Sequence, residues 1–280
     1  YIFFRSWVFG SKFTYSGIWI LIFGPTFKLI PQILVIYSYL NFTFSLVTLI
    51  PDIWKKFFND LCASPPDFIM NDWFIVYLIG FISTFPFLLS KRLSSLRYMS
   101  YVSNSFLVLN LLFVIIDFFI HIKEIDSSKI PLFGGNYNES MRILVAFQSA
   151  FYFHPLLQLS TEDLDNPTNS RVTGLTWVTS LTKFIIFNVI PILNFSLYYS
   201  KNHNNEDSFL NHYEPKSALT IMIEITLYAN ILLTIAFFTY IIADSLVEML
   251  SVQRQKRMIT ILGGVCAFLL NSTICFVDKN

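Results

Sequence analysis

Long apolar runs separated by short polar segments dominate the chain. A membrane-spanning helix needs about 20 apolar residues to cross a hydrocarbon core about 30 Å thick. Runs that approach or reach this length cover residues 18–39, 73–89, 99–120, 143–159, 175–199, 218–246 and 258–276. The pattern predicts an all-α integral membrane protein with about seven transmembrane helices, in a single domain over residues 1–280. Pro25 and Pro31 remove backbone donors, so we expect a kink in the first span.

The stretch after the first run, residues 42–58, has the pattern of an interfacial helix. Four bulky apolar residues between Ile53 and Phe58 lie on one helical face, and Lys55 and Lys56 face away from it. This arrangement predicts a helix that lies along the membrane surface with both lysines in water.

Composition supports a membrane class and gives no sign of an enzyme. Hydrophobic residues make up 54% of the chain and charged residues 13%, against about 25% charged in soluble domains. A net charge of +1 without a basic stripe gives no reason to expect a nucleic-acid partner. Cys62, Cys266 and Cys275 have neither metal-ligand nor disulfide spacing, and no nucleophile–base–acid set is visible. We therefore expect no enzyme, no metal and no cofactor.

Basic residues in two short loops suggest the orientation, because cytoplasmic loops are enriched in Lys and Arg. These residues are Lys91, Arg92, Arg97, Arg254, Lys256 and Arg257. The longer polar loops 121–140 and 201–216 are then on the outer or lumenal face. Asn138 begins an Asn-Glu-Ser glycosylation sequon in the first of them, so we expect a glycan there.

Four charged residues lie inside the apolar runs, where a charge costs about 2.5 to 3.5 kcal/mol near mid-bilayer. They are Lys28, Lys183, Glu224 and Asp244. Asp244 lies near the cytoplasmic end of its run. Lys183 and Glu224 lie about two helical turns from the ends of theirs, which favours side chains that extend to the membrane interface.

Four parts of the chain carry a resemblance to a known family. Residues 86–100 resemble, without gaps, the turn between the fourth and fifth helices of the amino acid/auxin permease (AAAP) family, which includes the sodium-coupled neutral amino-acid transporters. Residues 150–171 resemble the sixth helix and the cytoplasmic loop that follows it. The residues of this match are Ala150, Phe151, His154, Pro155, Glu162, Asp163, Leu164 and Arg171. Leu233-Thr234-Ile235 resembles a Leu-Thr-Val of the eighth helix, and Tyr1 and Gly10 resemble the entry to the third.

The resemblance implies an incomplete five-plus-five inverted-repeat transporter fold, covering helices three to nine. In that fold, unwound segments present backbone groups to a zwitterionic substrate and an ion. The implied substrate-binding residues are Ser149, Ala150, Phe151 and His154, and Thr234 is the implied ion-binding residue. The residues alone favour aromatic packing for the 149–154 segment, and only the family resemblance makes a binding role equally consistent. For Thr234, a hydroxyl bonded back to its own helix is the favoured interpretation.

The sequence departs from the family pattern in several places. Ala236 and Ile241 replace prolines of the eighth helix, and Phe195-Ser196 replaces a Gly-Tyr pair that ends the seventh. Nothing matches the first two helices, so half of the implied substrate site is missing, and we expect the chain to begin within a longer protein.

The resemblance implies secondary active transport of small neutral amino acids, with sodium or protons as the coupling ion. The expected partners are an amino-acid substrate and the lipid bilayer of a plasma membrane or a vacuolar or lysosomal membrane; no oligomeric state is indicated. A truncated relative that acts as an amino-acid sensor or assembly partner is an alternative, and a seven-helix receptor is another. Two more spans with a Gly-rich break upstream would favour transport over the sensor.

Overall fold

The computed structural model describes residues 23–24, 27, 29–62, 64–89, 97–125, 168–201, 213–250 and 256–278. Every regular element in these residues is helical, which confirms the predicted all-α class for this part of the chain. The elements are α1 (Leu29–Leu61), a π-helix (Phe74–Gly80), α2 (Phe81–Leu88), α3 (Arg97–His121), a 3-10 turn (Ile122–Glu124), α4 (Asn169–Lys201), α5 (Ala218–Leu250) and α6 (Lys256–Asp278).

Among the described residues, four helical segments are long and apolar enough to cross a membrane. They are Leu29–Leu61, Tyr101–Glu124, Thr173–Leu197 and Ala218–Val247. The apolar part of α6, Thr260–Leu269, is shorter than these. The chain is therefore a membrane-embedded helical protein. The count of seven spans and the transporter fold stay predictions, and the expected span at 143–159 lies outside the described residues.

Helix α1 is one continuous helix of 33 residues, so the chain is not divided at residues 40–42 into a span and a surface helix. The kink predicted at Pro25 lies outside the described residues. Because α1 begins at Leu29, Pro31 lies in its first turn, where the missing N–H would have no helical partner. Pro51 lies inside the helix, where proline removes one backbone hydrogen bond, and the helix continues past it to Leu61. The prediction of a separate interfacial helix over 42–58 is thus wrong.

The structure divides into two compact units, the first of which comprises Tyr1–Leu107 and Glu224–Asn280. In this unit α1 and α5 pack side by side through aromatic rings. The ring centroids of Tyr39 and Phe238 are 5.1 Å apart, and those of Trp54 and Tyr228 are 5.2 Å apart. The contact made further along α1, at Trp54, is the one made earlier along α5, at Tyr228. The two helices are therefore antiparallel.

Helix α6 packs against the π-helix and α2 in the same unit. Phe268 of α6 is fully buried, and its ring centroid lies 6.3 Å from that of Phe81. A Cβ added at Gly80 would lie 2.9 Å from Cζ of Phe268. The absence of a side chain at Gly80 therefore allows this ring to approach the backbone.

The second unit, Val108–Ile223, contains most of α3, the whole of α4 and the loop before α5. Asn110 on α3 donates from Nδ2 to the Ile223 carbonyl oxygen at 3.1 Å. The Tyr213 hydroxyl donates to Asn194 Oδ1 at 2.5 Å. Burial, with a smaller contribution from the charge of Asp117, raises the pKa of the Tyr213 phenol, although the hydrogen bond to Asn194 opposes the shift.

Helix α4 presents large apolar side chains at the surface of the second unit. Trp177, Val178 and Leu181 are more than half exposed. Exposed apolar surface of this extent is unusual in a soluble monomer and suits contact with hydrocarbon.

Candidate functional site

Most of the residues implied by the family resemblance lie outside the described part of the chain. Ser149, Ala150, Phe151 and His154 belong to this group, and so does the glycosylation candidate Asn138. Their assignments stay predictions.

Thr234 is described, and it lies on α5. Its hydroxyl donates to the carbonyl oxygen of Asn230, one turn earlier, at 2.8 Å. The amide of Asn230 in turn donates to the carbonyl and hydroxyl oxygens of Ser103 at 2.8 and 3.1 Å. The arrangement is the back-bonding common for Thr in membrane helices. A hydroxyl that donates in this way keeps its oxygen lone pairs, so a role as an ion ligand stays a prediction.

The described residues contain a cluster of charges, with two buried carboxylates and one partly buried lysine, that joins α1 to α5. Lys56 Nζ lies 3.1 Å from Asp60 Oδ2, one turn later on α1, and 3.4 Å from Glu224 Oε1 on α5. These three residues are called the charge cluster below. One positive and two negative groups leave it with one net negative charge.

Burial differs between the two carboxylates of the charge cluster. Glu224 is 0% exposed, and neither of its carboxylate oxygens has a hydrogen bond within the described residues, so its contact with Lys56 is an ion pair only. Asp60 is hydrogen-bonded to Lys56. A buried charge without hydrogen bonds is costly. Glu224 is therefore the less well stabilised of the two charges.

The charge cluster lies toward one end of two long helices. Lys56 and Asp60 are in the last turns of α1, and Glu224 is in the second turn of α5. Each helix has 33 residues and is about 50 Å long at about 1.5 Å per residue. A hydrocarbon core of about 30 Å leaves each helix with excess length. The antiparallel packing therefore places the charge cluster near one membrane face rather than at mid-bilayer.

Aromatic side chains pack next to the charge cluster. The Trp54 ring centroid lies 4.6 Å from that of Phe58 and 5.2 Å from that of Tyr228. The indole nitrogen of Trp54 donates to the Ile69 carbonyl oxygen at 3.0 Å, which ties the loop after α1 to the helix. Tyr228 lies one turn after Glu224 on α5, and its buried hydroxyl has no hydrogen bond within the described residues. Trp54 and Tyr228 thus join α1 and α5 close in sequence to the charge cluster.

The positions predicted for the Lys56 and Glu224 side chains are wrong. Lys56 was expected to face water, and Glu224 to extend to the membrane interface. Instead Lys56 Nζ lies 3.4 Å from Glu224 Oε1, and Glu224 is fully buried. The spacing of Lys56 and Asp60 is visible in the sequence as an i,i+4 pair. The partner on α5 leaves no local signal, because the contact depends on how two distant helices pack.

The described part of the chain is therefore that of a helical membrane protein with a charge cluster between two apolar helices. Comparisons with protein-family models, curated proteins and solved structures find no match for this chain. The resemblance to the amino acid/auxin permease family therefore stays a prediction.

Proposed function

We propose that this chain belongs to a secondary active transporter of small neutral amino acids. The observation that carries the proposal is the charge cluster between two helices of membrane-spanning length. Ionisable groups inside membrane helices are costly, and they mark ion and substrate pathways. The four long apolar helices and the resemblance at residues 86–100 and 150–171 support the same function.

In the proposed function, different residues bind the substrate and the coupling ion. In this proposal Ser149, Ala150, Phe151 and His154 contribute to the substrate site. The charge cluster supplies a site where a bound cation changes the charge between α1 and α5. A membrane protein whose packing depends on such an ion can use the ion gradient to bias one conformation over another.

The test is uptake of a panel of radiolabelled neutral amino acids by proteoliposomes that contain the purified chain. We expect accumulation above protein-free vesicles when an inward sodium or proton gradient is imposed, and no accumulation when the gradient is dissipated. His154→Ala should reduce the uptake, since His154 is placed in the substrate site. Absence of uptake under both gradients, for this chain and for any form extended at its N-terminus, would contradict the proposal.

A further inference from the structure

We propose that Glu224 is a reversible proton-binding site, next to the fixed ion pair of Lys56 and Asp60. Proton binding is a property of the charge cluster by itself. Its use to couple a proton gradient to transport rests on the proposed function above.

The geometry selects Glu224 over Asp60 as the group that takes the proton. Asp60 accepts a hydrogen bond from Lys56 at 3.1 Å and lies in the last turn of α1. Glu224 has only the ion pair at 3.4 Å and is fully buried. Burial without hydrogen bonds favours the neutral form of a carboxyl group. The charged groups that face Glu224 among the described residues are Lys56 and Asp60, and on α5 the neutral phenol of Tyr228 lies one turn away.

The same geometry favours a proton over a metal cation. The Lys56 ammonium already lies within 3.4 Å of an oxygen from each carboxylate. A metal ion at that position would be repelled by the ammonium and would need several more oxygen ligands. A proton needs one carboxylate oxygen and adds no bulk.

Proton binding changes the charge between α1 and α5 without leaving any charge uncompensated. A proton from water bonds to a carboxylate oxygen of Glu224, and no other bond forms or breaks. The net charge of the cluster then changes from one negative to zero, because Lys56 remains paired with Asp60. The attraction of Lys56 for Glu224 is lost in the same step. Protonation therefore weakens the electrostatic contact between the two helices.

The predicted orientation indicates from which side of the membrane a proton reaches Glu224. Glu224 follows the 201–216 loop, which the distribution of basic residues places on the outer or lumenal face. The charge cluster lies near that face. In this orientation the proton is taken from the outer or lumenal solution.

The direct test is infrared difference spectroscopy of the purified chain as pH is changed. A protonated carboxylic acid has a carbonyl stretch that the carboxylate lacks, so we expect a band that grows as pH falls. Glu224→Gln should lose this band. Asp117→Asn should keep it, since Asp117 is a buried carboxylate of the second unit whose side chain lies 3.4 Å from His121 Nδ1.

A second measurement uses the wild-type sequence, because a substituted protein could fail to fold. Incorporation of glutamate labelled with ¹³C at the side-chain carboxyl carbon should shift the band to lower frequency. Aspartate labelled at its side-chain carboxyl carbon should leave the band in place. A band that shifts with aspartate alone, or the absence of any titrating glutamate band in the folded protein, would overturn the inference.

Uptake measurements separate this inference from the proposed function. A Glu224-dependent band in a chain that transports no amino acid would preserve the proton site and remove the transport proposal. Uptake that depends equally on the proton gradient in wild type and Glu224→Gln would preserve transport and overturn Glu224 as its proton site.

Discussion

At the scale of residues, two adjacent lysines show how burial determines the role of a charge. Lys55 pairs with Asp72 at 2.5 Å, and its side chain is 38% exposed. Lys56 has a side chain that is 14% exposed and is shared by Asp60 and Glu224. An exposed ion pair contributes about 0–1 kcal/mol, whereas removal of one partner of a buried pair costs about 3–5 kcal/mol. Two neighbouring lysines are thus expected to contribute different amounts to the free energy of unfolding.

Lys56→Gln should destabilise the protein far more than Lys55→Gln, its matched control. Loss of Lys56 leaves Asp60 and Glu224 close together without a counter-charge, and we expect a loss of about 3 kcal/mol in the free energy of unfolding. Lys55→Gln should cost at most about 1 kcal/mol. Denaturant titration in detergent micelles measures both values. Equal losses would show that Lys56 is not the main partner of Glu224.

At the scale of elements, the sequence predicts those helices that are long and uninterrupted. The apolar runs 99–120, 175–199 and 218–246 lie inside α3 (Arg97–His121), α4 (Asn169–Lys201) and α5 (Ala218–Leu250). Local composition is sufficient there, because a long apolar run has few alternatives to a helix in a membrane.

Elements with mixed signals were not predictable in the same way. In α1 the prolines suggested a kink, but their effect depends on where the helix begins, which composition does not specify. The run 73–89 is a π-helix (Phe74–Gly80) followed by α2 (Phe81–Leu88). No period in that run distinguishes the two helix types, so their boundary depends on packing against α6.

Gly80→Ala tests the contact between the π-helix and α6. Its Cβ would lie 2.9 Å from Cζ of Phe268, and this overpacking should reduce the free energy of unfolding by about 1–3 kcal/mol. Gly174→Ala on α4 is the control, because no atom lies within 4 Å of its added Cβ. That variant should be neutral or stabilised by up to about 1 kcal/mol.

The same denaturant titration measures both glycine variants. Phe268→Leu should recover part of the loss caused by Gly80→Ala, since it removes the atom that clashes. No interaction between the two substitutions in a double-mutant cycle would count against the described contact.

At the scale of the whole molecule, membrane embedding followed from composition, but the charge cluster did not. The cost of burying Glu224 in an apolar run indicated that it needs a partner. Lys56 could not be identified as that partner, because several lysines and arginines were available and none lies within one helical turn of Glu224 in the sequence. Of the site residues predicted from the sequence, the structure describes only Thr234, whose hydroxyl bonds to its own helix.

The predicted orientation is tested at Asn138. Expression in cells with an endoplasmic reticulum should give a glycosylated chain, and Asn138→Gln should lose the associated mobility shift on a gel. Asn41→Gln is the control. Asn41 also begins a sequon, Asn-Phe-Thr, but it lies inside α1 and should carry no glycan. Labelling of a cysteine placed beside Asn138 by a reagent confined to the cytoplasm would reverse the orientation and, with it, the side from which Glu224 takes its proton.

The ion pair between α1 and α5 also has a consequence for the order in which the protein is made. Ribosomes synthesise α1 long before α5, so Lys56 enters the membrane when Glu224 does not yet exist. Asp60 is only one turn away on the same helix and is present from the start, hydrogen-bonded at 3.1 Å. The local pair can neutralise Lys56 during insertion, whereas Glu224 arrives later and must reach a lysine that already has a partner. Docking of α5 against α1 is therefore a late step of biogenesis, and a chain released before it would carry an unpaired glutamate into the bilayer.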